Sequence, residues 1–114
     1  MAGNPVQDKS YQFALTIIRL FKTLQDRHEF VLSKQLLRSG TSIGANVEEG
    51  LAGQSRRDFL AKMAVASKEA RETHYWLRLV RDSQLVEVDV SSEIEQAEEL
   101  IRILTAIVKT TAEH

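Results

Sequence analysis

The chain has 114 residues, no cysteine, and 15 Lys and Arg against 16 Asp and Glu, for a formal net charge of -1. Its length fits a single domain, 1–114, that buries roughly two thirds of its unfolded surface, and the lack of cysteine excludes a disulfide framework, thiolate zinc sites and thiol nucleophiles. The charge balance excludes a global electrostatic drive toward nucleic acid or anionic membrane, so any such binding must come from a local patch.

Residues 1–6, with Gly3 and the only proline, Pro5, read as a frayed lead-in. MAGNPVQDKSYQ has no charged segment followed by an apolar core, and no run of roughly 18 apolar residues occurs, which predicts a soluble cytoplasmic protein. Over residues 7–27, Phe13, Ile17, Leu20 and Leu24 fall at helical steps, and Ala14, Ile18 and Phe21 widen the face, so this is a core-facing helix. Residues 27–33 change direction.

The second helix carries Leu32, Leu36, Ile43, Val47 and Leu51 on one face and Arg38, Ser42, Asn46 and Glu49 on the opposite one. Gly40 and Gly44 each cost roughly 1 kcal/mol relative to alanine inside a helix, so a neighbouring backbone is expected too close to admit a side chain. Gly53 suits a left-handed cap for this helix, and Ser55 with Asp58 matches the capping-box spacing for the next.

The third helix, residues 56–81, places Phe59, Met63, Ala66, Ala70, Leu77 and Val80 at helical spacing, with the small residues Ala61, Ala64 and Ser67 expected to pack against the second-helix glycines. Residues 82–90, DSQLVEVDV, read as a packed loop. The last helix opens at Ser91 or Ser92, where Ser92 and Glu95 are spaced as a capping box, and continues through Ile94, Ala97, Ile101, Leu104 and Val108. Leu100, Ile103 and Ile107 broaden its face. Four amphipathic helices on short links predict an all-α, up-down four-helix bundle. Charge is uneven along it: residues 54–81 hold seven Lys or Arg and three Asp or Glu, whereas residues 91–114 hold two and five.

Residues 35–80, QLLRSGTSIGANVEEGLAGQSRRDFLAKMAVASKEARETHYWLRLV, contain Gln-x-x-Arg-x-x-x-Ser at Gln35, Arg38 and Ser42. Asn-x-x-Glu-Gly follows at Asn46, Glu49 and Gly50, then Ser-x-x-Asp-Phe at Ser55, Asp58 and Phe59. In this order and spacing the run resembles the bacterial four-helix-bundle family of 23S ribosomal RNA intervening-sequence proteins. The resemblance implies a left-handed bundle that assembles as a ring-like homopentamer. Members are encoded within intervening sequences of large-subunit ribosomal RNA genes or stand alone, and a related branch is the accessory protein of diversity-generating retroelements. The partners so implied are further copies of the chain, RNA or DNA, or a reverse transcriptase. Nucleic-acid binding is implied for basic members, and a net charge of -1 departs from that pattern.

On the third helix Glu69 and Glu72 lie one turn apart, and Arg38 can pair with either across the helix interface. Arg38, Ser42, Asn46, Glu49, Glu69 and Glu72 are therefore a candidate polar network. Two roles stay open for it: setting helix register or the subunit contact, or forming a recognition surface that lines an oligomer interface or pore. Arg56, Arg57, Lys62, Lys68, Arg71, Arg78 and Arg81 are candidate phosphate contacts, with Tyr75 and Trp76 beside them for base stacking, unless they form only a solvated face.

Catalysis is not expected. The Glu-x-x-His pairs of di-iron bundles do not occur, and His28, His74 and His114 lack ligand spacing. The glycine pairs 40/44 and 50/53 lack the lysine and strand of a phosphate loop, and there is no Gly-x-Ser-x-Gly elbow. No metal, cofactor or small-molecule substrate is expected. These observations point to a non-enzymatic homo-oligomeric bundle that engages another macromolecule, with direct nucleic-acid binding through the third helix as the alternative.

Overall fold

Asn4 opens the first helix in a computed structural model of the protein, which describes residues 4–113. Its Oδ1 accepts the amides of Val6 and Gln7 at 3.1 and 3.2 Å. Pro5 follows at the first helical position, where its missing amide hydrogen costs nothing. Helix α1 (Pro5–Asp26) thus starts inside the stretch expected to fray, and Val6 is buried. Residues 1–3 lie outside the described residues. Helices α2 (Leu32–Leu51), α3 (Arg56–Ser83) and α4 (Ser91–Glu113) complete the bundle.

Helix α1 packs on α2 and α4, and α3 packs on α2 and α4, so each helix has two neighbours and none crosses the middle. Contacts fix the directions. Gly44 lies against Ser10 and Gly40 against Ile17, while Arg38 reaches Glu69 and Glu49 reaches Lys62. His74 meets Glu98, and Arg71 meets Thr105. Rising numbers on one helix match falling numbers on the next, as an up-down bundle requires. The molecule measures 45 × 25 × 23 Å, and its length is that of α3, about 42 Å for 28 residues.

The apolar faces read from spacing meet in one core. Phe13, Ile17, Leu24, Leu36, Ile43, Val47, Met63, Leu77, Leu100 and Leu104 are essentially inaccessible to solvent. Residues 84–90 form a loop, with Val86 and Val88 packed against this core and Val90 buried in it. Two hydroxyls are buried where α2 meets α3. Thr73 donates to the Glu69 carbonyl at 2.7 Å and shares a 2.8 Å hydrogen bond with Ser39.

Gly40 and Gly44 of α2 face α1. A Cβ on Gly40 would lie 2.8 Å from Cγ2 of buried Ile17, and one on Gly44 would lie 3.3 Å from the Ser10 carbonyl oxygen. The small residues Ala61, Ala64 and Ser67 of α3 therefore do not serve those two glycines. It is Gly50 that meets α3, at Lys62 and Met63.

Helix ends differ from expectation for local reasons. Gly53 is not left-handed: Ala52 (φ -84°) is the C-cap of α2, and Gly53 N–H donates to the Gly50 carbonyl. Ser55 caps α3 as expected, accepting the Asp58 amide at 3.0 Å. Among the described residues the left-handed positions are His28 (φ 64°) and Gln84 (φ 55°). His28 N–H donates to the Gln25 carbonyl and Glu29 N–H to the Leu24 carbonyl, the paired bonds that close a helix through a left-handed residue. Helix α4 starts at Ser91, so Ser92 and Glu95 lie within it and form no capping box. Asp89 caps it instead, accepting the Ser91 amide at 2.9 Å.

Candidate interaction surfaces

The polar stripe of α2 divides among three tasks. Ser42 donates to the Arg38 carbonyl at 2.8 Å and Asn46 to the Ser42 carbonyl at 2.9 Å, so both satisfy their own helix. Glu49 pairs with Lys62 at 2.8 Å. Only Arg38 reaches the two acids named with it, bonding Glu72 and lying 3.3 Å from Glu69. Trp76 was not placed in this group by spacing, yet its indole N–H donates to Glu72 at 2.9 Å. That bond, with the Arg38 contact, holds the Glu72 carboxyl below its ordinary pKa against the opposing effect of burial. Glu72 in turn raises the Arg38 guanidinium. Arg38 keeps 49% of its side chain exposed, so solvent screens the cluster and its contribution to stability is small.

The seven basic residues of α3 do not form one strip. Lys62 turns to α2, while Arg56 bonds the Thr111 carbonyl and Arg71 the Thr105 hydroxyl (3.0 Å), both on α4. Arg78 lies over the Tyr75 ring, 5.8 Å from its centroid, and Arg81 pairs with its neighbour Asp82. Arg57 and Lys68 are exposed and make no ion pair among the described residues. Tyr75 is exposed and packs edge-on against half-buried Trp76.

A different surface escaped the sequence reading. Gln7 donates to the Glu48 carboxylate across the α1–α2 seam at 3.0 Å, and Tyr11 and Ile18 lie four and eleven residues further along the same stripe of α1. Tyr11 is 58% exposed and Ile18 45%. Across the seam, Leu37, Thr41 and Ala45 share the stripe that ends at Glu48. The flank is uncharged between Glu48 at one end and Lys22 with Lys34 at the other. The only hint was that Ile18, counted toward the first helix's core face, sits at its edge.

Among the described residues no group of three or more His, Asp or Glu side chains is placed to hold a metal ion, and no helix is long and apolar enough to cross a membrane.

The family model described as 23S rRNA-intervening sequence protein matches residues 3–106. The chain is also similar to a crystal structure of a protein with unknown function from the S23 ribosomal protein family from Bacteroides thetaiotaomicron. The two share 45% sequence identity and superpose with a TM-score of 0.87, over 93% of this chain and 96% of that one. No curated protein matches. A family model spanning most of the length, together with a solved relative of the same fold at this identity, places the protein in the 23S rRNA-intervening sequence protein family.

Proposed function

We propose that the protein is a non-enzymatic adaptor that assembles through its helix flanks, as the pentamer implied by the family resemblance, and presents the assembled surface to a macromolecular partner. The α1–α2 flank is the observation that carries this reading. Tyr11 and Ile18 stand in solvent on a charge-free stripe, and monomeric proteins seldom leave such faces uncovered. Charges of opposite sign at its two ends suit a contact with one fixed direction. Arg38, Glu69, Glu72 and Trp76 then act as a register-setting cluster between α2 and α3.

Ile18→Glu tests this. The side chain is exposed, so folding is expected to survive, while a carboxylate in the flank is left unpaired on assembly. The expected product is a helical monomer by circular dichroism and light scattering. A variant that assembles as the native chain does overturns the flank's role.

Direct nucleic-acid binding through α3 is the second reading, favoured by Arg57 and Lys68, which are exposed and make no ion pair among the described residues. Titration of labelled RNA and DNA at two salt concentrations tests it, because binding through phosphates weakens steeply with salt. No binding at low salt removes this reading.

A further inference from the structure

We propose that the groove between α3 and α4 is a binding site for a phosphoryl anion. Arg71, His74 and Arg78 of α3 line it with Glu98, Ile101 and Arg102 of α4, around a volume of about 470 Å³, within the range of small-ligand sites. Three guanidiniums face one carboxylate, and that carboxylate is engaged by His74, whose Nε2 lies 3.2 Å from Glu98. Arg71 bonds only the neutral Thr105 hydroxyl, Arg78 rests on the Tyr75 ring, and Arg102 makes no hydrogen bond or ion pair among the described residues.

Four cations elsewhere are matched to acids. Lys9 pairs with Glu99, Arg38 with Glu69 and Glu72, Lys62 with Glu49, and Arg81 with Asp82. Helix α4 is rich in acids, yet apart from Glu98 it turns none toward this groove, and Glu99 reaches across to α1 instead. Three guanidiniums around one carboxylate thus concentrate positive charge in this groove, in a chain whose net charge is -1.

Geometry selects the ligand class. Arg71 and Arg78 are seven residues apart on one face of α3, and Arg102 faces them from α4, one turn beyond Glu98. Guanidinium forks match the oxygens of phosphate and carboxylate, and three converging cations favour a dianion or polyanion over a single carboxylate. The Thr105 bond and the Tyr75 ring hold two of the three in place, which lowers the entropy lost on binding. Ile101 supplies an apolar floor. The phosphoryl group belongs either to a small phosphorylated molecule or to a polynucleotide backbone.

Calorimetric titration with inorganic pyrophosphate at low ionic strength, and anisotropy with a short labelled single-stranded RNA, separate these sources. Both use the native chain, Arg102→Gln and Arg19→Gln. Residue 102 is exposed and makes no hydrogen bond or ion pair among the described residues, so its substitution leaves the bundle folded, and exposed Arg19 lies on α1, outside the groove. Loss of one charge-assisted contact is expected to weaken binding about tenfold in Arg102→Gln and to leave Arg19→Gln nearly native. Weakening of pyrophosphate alone assigns a small phosphorylated ligand, and weakening of RNA, with or without pyrophosphate, assigns a polynucleotide backbone. Absence of binding by both probes, or equal binding by the native chain and Arg102→Gln, overturns the proposal.

Discussion

Glu29 accepts the amides of Val31, Leu32 and Ser33 at 3.1, 3.0 and 2.7 Å, satisfying donors that the start of α2 would otherwise leave without acceptors. Burial works against its charge, but these three bonds and the Ser33 hydroxyl outweigh it and hold the carboxyl below its ordinary pKa. Because the folded value is depressed, the stabilisation is complete above the unfolded carboxylate's pKa and is lost as pH falls through the folded one. Glu29→Gln should cost about 1 kcal/mol near neutral pH, the usual worth of a helix cap. In urea titrations the gap from the native chain should close as acid protonates Glu29, and a gap independent of pH would contradict the assignment. The ordinary sequence signal for a helix start is Ser, Thr, Asp or Asn at the cap position, and in α2 that position is Val31. Glu29 stands two residues earlier and reaches forward on a longer side chain, helped by the left-handed turn at His28, a position where glycine is the ordinary signal.

At the scale of the helix, α2 shows what periodicity reveals and what it hides. Its buried face was legible because Leu36, Ile43 and Val47 recur at steps that only a helix brings together, and Gly40 and Gly44 announced a close neighbour. Which neighbour it was did not follow. The small residues of α3 made that helix the natural choice, whereas α1 fills the place with Ile17 and the Ser10 carbonyl. Gly40→Ala separates two effects of similar size: helix propensity favours alanine by roughly 1 kcal/mol, and a methyl group 2.8 Å from buried Ile17 forces repacking. Overpacking of a tight core costs about 1–3 kcal/mol, so thermal denaturation should show a net loss. An unchanged or raised midpoint would mean that α1 and α2 do not approach this closely. The basic residues of α3 illustrate the same gap in reverse. Their spacing along one helix is visible in sequence, but Arg102 joins Arg71 and Arg78 only through the pairing of α3 with α4.

For the whole molecule, the fold followed from four amphipathic segments and their short links, because antiparallel neighbours leave a single economical arrangement. The outer surfaces did not follow. Ile18 belongs to the apolar pattern that defines α1 and Tyr11 stands outside it, and sequence cannot distinguish an apolar residue facing the core from one facing another subunit. The proposed function therefore rests on association. Sedimentation of the native chain across the micromolar range tests it most directly. It should report one stable species of five times the 12.9 kDa chain mass, without dissociation on dilution. A species of 12.9 kDa at every concentration would contradict it.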